Sequence, residues 1–236
     1  MTTQNVKTIV LDLLHQGRLD EEAFWQGMSE TERAANGTWE RWSAKDHVAH
    51  RTFWRQDLIR KLTALLEHQN IPVTDEDEEL LNATTYGKQE KRSASEIQAD
   101  SKQTYAELIA LVGQLSEDDL TSTRFPEISG QHPLYTTFLG SLYEHEQEHL
   151  AQYYADHNDL PKAIEVRERC AHRILQAQVP QWVKGWFLYN LACFYAQHNQ
   201  LEQAATHLQE AVTLAPNLEE RSKNDPDLAA LHNQSV

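Results

Sequence analysis

The sequence is poor in cysteine, glycine and proline, and it has no long hydrophobic run. Its two cysteines, Cys170 and Cys193, are too few for a disulfide framework, which favours a reducing compartment. Apolar runs such as TIVLDLL are interrupted by charge and fall well short of the roughly 18 apolar residues that span a bilayer. The first residues, MTTQNVKTIV, lack the apolar segment of a secretory signal. We therefore expect a cytoplasmic protein that does not associate with membranes.

Positive charge is also scarce. The net charge is −15, and residues 1–156 contain 14 basic and 27 acidic side chains, against 7 and 9 in residues 157–236. A field of this sign repels a phosphate backbone, and no cluster of lysine and arginine opposes it, so we expect no nucleic-acid partner. The acidic run TDEDEELL (74–81) predicts a solvated loop or the start of a helix.

The shortage of glycine and proline, together with the absence of alternating strand patterns, predicts a helical chain. Ser43, Ser93 (in a Ser-x-x-Glu pattern) and Pro133 each suit the start of a helix. Four helices of about 20 residues predict an all-α fold, with an up-and-down four-helix bundle over residues 1–156. The four helical segments are residues 4–29, 43–68, 93–115 and 133–156.

A repeat predicts a different helical arrangement in residues 157–236. The segment LAQYYADHNDLPKA (150–163) recurs 41 residues later as LACFYAQHNQLEQA (191–204). Self-similarity at such an offset is typical of stacked helical pairs, and the second copy resembles the tetratricopeptide pattern. Two copies are fewer than such arrays need, so we expect this part to pack on the bundle. The positions that carry the resemblance are Leu191, Ala192, Tyr195, Ala204, Leu208, Ala211 and Pro216.

Two histidines share one face of the predicted fourth helix. At 100° per residue, His145 and His149 are only about 40° apart, whereas the repeat positions Leu150 and Tyr154 lie on the opposite face. This helix can therefore close the bundle on one side and begin the tetratricopeptide-like array on the other, so that both parts share it. Two imidazoles four residues apart suit a divalent metal, although an ordinary polar stripe can contain the same pair.

The predicted second helix offers a third imidazole within RWSAKDHVAHRTFW (41–54). Both His47 and His50 lie near the side marked by Trp54, and their spacing does not decide between them. A histidine beside buried aromatic side chains needs a hydrogen bond or a metal. Asp57, which shares the helix face of His50, is a candidate for the second shell that orients it, although a surface role is an equal alternative.

These motifs resemble those of the DinB/YfiT-like superfamily. WSAKDHVAH, from Trp42 to His50, is similar to the motif that opens the second helix of that family. The pattern H-x-x-x-H-x-x-Q, formed by His145, His149 and Gln152, is similar to its motif on the last helix. Within the superfamily, the ClbS/DfsB four-helix bundle proteins are most similar. They share the tryptophan after the second-helix histidine, a Y-E-H-x-x-E-H run, and a middle resembling N-A-T-T-Y, S-A-S-E-I and L-S-E-D-D-L.

The resemblance covers about residues 5–156 and implies a divalent metal, zinc or nickel, bound by His50, His145 and His149. It thereby selects one of the two histidines on the second helix. Three protein ligands leave a coordination position free, as in catalytic sites. The resemblance favours Gln152 as a neighbour of the ligands, and no catalytic residue is assigned.

Three functions fit these features. The resemblance implies a metal-dependent hydrolase or thiol transferase that acts on small electrophiles in stress or detoxification. Alternatively, the tetratricopeptide-like repeats form a non-enzymatic protein-interaction module that binds a protein partner. A third hypothesis is a bundle with a vestigial metal site that acts as a scaffold or homodimer.

Overall fold

The computed structural model describes residues 5–73 and 77–232, and these residues are helical through most of their length. Within these ranges there is no β-strand, and Thr38 and Arg41 form an isolated bridge. The predicted all-α class is therefore confirmed.

The long and intermediate helices follow one another along the chain with short helices between them. They are α1 (Val6–Gln26), α2 (Glu30–Ala34), α3 (Ala44–Leu66), α4 (Glu78–Gln89), α5 (Ala94–Gln114), α6 (Glu117–Thr121), α7 (Pro126–Ser129), α8 (Tyr135–Thr137), a π-helix (Phe138–Glu144), α9 (His145–Asp156), α10 (Leu160–Gln176), α11 (Gln181–Gln197), α12 (Leu201–Leu214), α13 (Leu218–Ser222), a 3-10 helix (Pro226–Leu228) and α14 (Ala229–His232). Of the acidic run at 74–81, residues 74–76 lie outside the described residues.

The predicted helix starts have a clear local cause. Ser43 accepts a hydrogen bond from the backbone N–H of Asp46, whose carboxylate binds back to the N–H of Ser43. Ser93 and Glu96 form the same reciprocal capping box, which satisfies backbone donors that a helix start leaves free. The last bundle helix differs from the prediction, because it begins at Tyr135 and passes through seven π-helical residues before α9.

The chain divides into two compact units, one ending at Ala163 and the other beginning at Ile164. In the first unit, α5 packs against α1 and α3, and α9 also packs against α1 and α3. The interior is closely filled, and its fully buried side chains include Leu14, Leu62, Leu108 and Phe138.

The directions of the four bundle helices differ from the strict up-and-down order that we predicted. Lys7, at the start of α1, binds the carbonyl of Gly113 at the end of α5, so α1 and α5 are antiparallel. Lys45, at the start of α3, binds the carbonyl of Arg92 just before α5, so α3 and α5 are parallel. The intervening segment, which contains α4, returns the chain to the same end of the bundle.

In the second unit, small residues bring α11 and α12 close together. A Cβ atom on Gly185 would lie 2.7 Å from the Cβ of Ala215 and 3.0 Å from the carbonyl oxygen of Ala211. Ala204 and Ala211 are fully buried on α12. This close approach depends on Gly185, Ala211 and Ala215, of which Ala211 is also one of the repeat positions named from the sequence.

The two repeat copies end a helix in the same way. Asn158 and Asn199 adopt positive φ angles of 62° and 57°, a conformation that asparagine tolerates better than most residues. The residue after each asparagine donates its N–H to a carbonyl five residues earlier, at 2.8 and 2.9 Å, as in a Schellman-type helix end. The repeat therefore encodes a common turn, while the tetratricopeptide-like array and its shared helix stay predictions.

Candidate metal centre

Four histidines from two helices face one another inside the first unit. Helix α3 contributes His47 and His50, and α9 contributes His145 and His149. These helices are antiparallel, since Arg41, just before α3, binds the carbonyl of Asp156 at the end of α9. Residues three or four positions apart lie on the same face of a helix, so each pair can face the neighbouring helix.

The three histidines named by the family resemblance lie together. His50, His145 and His149 each offer a ring nitrogen within 4.8 Å of the other two, and the Nε2 atoms of His145 and His149 are 3.0 Å apart. Neighbouring ligands on one zinc ion, each at about 2.1 Å, are separated by roughly 3.0–3.4 Å. The donor set, and the spacing of His145 and His149, therefore fit a divalent metal.

His47, which the motif comparison set aside, belongs to the same cluster. Its Nδ1 atom lies 3.1 Å from the Nδ1 atom of His149, and its side chain is 0% exposed. His149 therefore contacts a different histidine through each of its two ring nitrogens, His47 through Nδ1 and His145 through Nε2. The sequence signal was the spacing of His47 and His50, which left both histidines as candidates.

Aromatic side chains form one wall of the histidine cluster. The indole of Trp42 stacks on His149 with an interplanar angle of 6° and lies 4.9 Å from the ring of His50, measured between centroids. Tyr86, on α4, lies near-parallel to Trp42 at 6.1 Å. Trp39 contacts both rings and is 40% exposed. This wall shields the cluster from water on one side and reaches the surface at Trp39.

The histidine rings are neutral near pH 7. Burial is the main cause that lowers the pKa of His50 to about 3, and the electrostatic effect of His145 is the second. For His145, burial and the positive charge of Arg51 lower the pKa to about 4. Burial also holds the pKa of His47 and His149 well below the usual value for histidine. Neutral imidazole is the form that binds metal ions.

The sequence matches the DinB superfamily over residues 13–153, a range that contains all four histidines and most of the bundle. The chain belongs to the DinB superfamily. Comparison with curated proteins found no match, and comparison with solved structures found none either.

A buried network of charged side chains lies next to the histidines of this DinB bundle. Arg55 binds Glu21 at 2.7 Å and Glu146 at 2.9 Å, and Arg51 lies 3.4 Å from Glu21. The hydroxyl of Tyr105 donates to Glu146 at 2.5 Å. Two arginines and two glutamates on α1, α3 and α9 thus balance in charge, and Tyr105 connects α5 to them.

The charged network is coupled to the backbone that carries the histidines. Arg51 donates from Nε to the carbonyl of His47 and from Nη1 to the carbonyl of Glu146, beside His145. A Cβ atom on Gly17 would lie 3.3 Å from a carboxylate oxygen of Glu146, so this glycine gives the carboxylate room. The network therefore supports the relative placement of α3 and α9. The sequence alone does not predict this network, because charged residues are usually expected at the surface.

The structure places Asp57 among charged side chains of its own helix and Gln152 at the surface. Both carboxylate oxygens of Asp57 are bound within α3, to Arg60 at 2.5 Å and to Lys61 at 2.7 Å. Across the described part of the chain, no hydrogen bond joins Asp57 to a histidine. Gln152 lies exposed on α9. By contrast, a ring nitrogen of His47 lies 3.1 Å from a ring nitrogen of His149.

None of the helices in the described residues is both long enough and apolar enough to cross a membrane.

Proposed function

We propose that this DinB bundle holds a divalent metal, zinc or nickel, on His50, His145 and His149. We further propose that it acts as a metal-dependent hydrolase or thiol S-transferase on small electrophiles. The observation that carries this proposal is the convergence of three neutral imidazoles from two helices. Membership of a superfamily whose members often bind metal supports it.

A divalent metal at this site would supply Lewis-acid chemistry with a coordination position left open by the protein. The chain itself positions the three imidazoles, keeps them neutral, and shields them with the ring of Trp42. In hydrolysis, the oxygen of water bonds to the electrophilic carbon, and the departing atom keeps the bond electrons and gains a proton. In thiol transfer, sulfur forms that bond, and the thiol proton goes to the departing atom.

The finer parts of the proposal follow from the motif resemblance. The ClbS/DfsB-like motifs favour the opening of a reactive electrophilic compound by water during stress or detoxification. We place this activity in the cytoplasm and include a homodimer as an expected assembly. No residue is assigned as general acid or base, since Asp57 and Glu146 are both engaged in ion pairs.

Metal analysis of the dialysed protein tests the site directly. We expect stoichiometric zinc or nickel in the wild type, and loss of it in His145→Ala, because that change removes one of three ligands. The matched control is His15→Ala, which removes an exposed histidine on α1. This variant should retain the metal. A wild-type protein that stays metal-free after addition of either ion would contradict the proposal.

The second candidate function is protein interaction through residues 157–236. The common turn at Asn158 and Asn199 favours it, because recurring turns are typical of stacked repeats. Affinity purification with the intact chain as bait, as wild type and as His145→Ala, would test this alternative. A specific partner retained by both forms supports interaction independent of the metal site, whereas recovery of no partner counts against it.

A further inference from the structure

His149 is held between two other histidines, one at each ring nitrogen. Its Nε2 atom lies 3.0 Å from Nε2 of His145, and its Nδ1 atom lies 3.1 Å from Nδ1 of His47. The ring of His47 is itself confined between Trp42, at 5.4 Å, and Tyr153, at 6.1 Å, both measured between centroids. The contact between His47 and His149 therefore belongs to a packed interior.

A neutral imidazole has one N–H group and one lone pair, so the two contacts of His149 depend on each other. If His149 binds a metal through Nε2, that atom must offer its lone pair, and the proton must be on Nδ1. The N–H at Nδ1 then points to His47, whose Nδ1 must accept it. If the protons are arranged in the opposite way, His149 donates from Nε2 to His145 and has no lone pair there for a metal.

We propose that His47 positions His149 for metal binding by accepting a hydrogen bond from its Nδ1–H group, which directs Nε2 of His149 to the ion. His47 is a positioning residue and not a ligand, because the ring nitrogens that converge are those of His50, His145 and His149. This role deepens the proposed metal site and rests on it. Partners of this kind on the far nitrogen of a ligand fix its tautomer and its orientation.

The remaining nitrogen of His47 makes this tautomer costly when no metal is bound. When Nδ1 of His47 accepts, its proton is on Nε2, and this atom is buried without a hydrogen-bond partner among the described residues. Leaving a buried donor unpaired is unfavourable, so metal binding must compensate for it. In the opposite tautomer Nε2 carries a lone pair and the three rings form a continuous chain of hydrogen bonds. The metal and the hydrogen-bond chain thus select opposite tautomers of His149.

Two substitutions at position 47 separate the acceptor from the packing. His47→Phe keeps an aromatic ring but removes the acceptor, and His47→Asn places a carbonyl oxygen near the position of Nδ1. We expect His47→Phe to bind zinc 10- to 100-fold more weakly than the wild type, the range for loss of such a partner. His47→Asn should recover most of that affinity. Competition with a chromophoric chelator measures the affinities, and circular dichroism of the metal-free variants checks that they fold.

Nitrogen-15 spectra of the histidine rings in the wild-type protein give a readout that needs no variant. With zinc bound, His149 should carry its proton on Nδ1, and His47 should carry its own on Nε2. Metal bound through Nδ1 of His149, or unchanged zinc affinity in a folded His47→Phe protein, would overturn the role of His47 while leaving the metal site intact. A wild type that binds neither zinc nor nickel would overturn both proposals.

Discussion

The charged side chains inside the bundle illustrate how strongly an individual residue depends on its partners. Burial opposes ionisation of Glu21, yet Arg55, Arg51 and a hydrogen bond from Ser101 hold its pKa below the usual value. Burial raises the pKa of Glu146, which lies in the same network. A buried charge without a partner is strongly unfavourable, so each charged side chain of the network offsets the cost of burying the opposite charges.

Substitution of Glu21 by glutamine should show this dependence. The change leaves the guanidinium groups of Arg51 and Arg55 with excess positive charge in the core, and we expect a loss of about 3–5 kcal/mol in the free energy of unfolding. The adjacent Glu22→Gln is the matched control, since Glu22 forms a partly exposed i, i+4 pair with Arg18, and such pairs contribute about 0–1 kcal/mol. Urea unfolding measures the free energy of unfolding of both variants. Equal losses of this free energy would contradict a special role for the buried ion pairs of Glu21.

At the scale of helices, the close approach of α11 and α12 depends on small residues. The Cα of Gly185 faces Ala211 and Ala215 with no space for an added methyl group. Gly113, near the end of α5, has no neighbour within 4 Å of the position that a Cβ atom would occupy. The same residue type therefore has a packing role in one helix and none in the other.

Alanine substitution at these two glycines should give opposite results. Gly185→Ala forces α11 and α12 apart, and we expect destabilisation of about 1–3 kcal/mol. Gly113→Ala should stabilise by about 0.5–1 kcal/mol, because it removes the helix penalty of glycine in open space. Thermal melting of both variants beside the wild type checks the pair. Stabilisation by Gly185→Ala would show that the hairpin packs less closely than described.

For the whole molecule, burying several neutral histidines links stability to pH. The pKa of His50 falls to about 3 and that of His145 to about 4 in the folded protein, whereas histidine in an unfolded chain titrates near 6.5. Below pH 6.5 the unfolded chain therefore takes up protons that the folded protein excludes. The stability provided by the neutral rings is complete above pH 6.5 and is lost as the pH falls towards 4.

We expect the free energy of unfolding of the metal-free protein to decrease between pH 6.5 and 4.5. Each histidine contributes about 1.4 kcal/mol per pH unit where its two states differ fully in protonation. Urea titrations in a chelator at several pH values measure this slope. His145→Gln should have a shallower slope than the wild type, since one buried imidazole is gone, and an identical slope in the two proteins would contradict the linkage.

Local sequence was enough to determine the all-helical class, the capped starts at Ser43 and Ser93, and the histidine pair on the last bundle helix. Each depends on neighbours a few residues apart, which helical periodicity and capping chemistry reveal. The motif resemblance added His50. Only the tertiary structure decided the parallel course of α3 and α5, the buried charges around Arg55, and the contact of His47 with His149, which are 102 residues apart in the chain. These features arise from packing between distant segments, and no local pattern encodes which side chain will meet which.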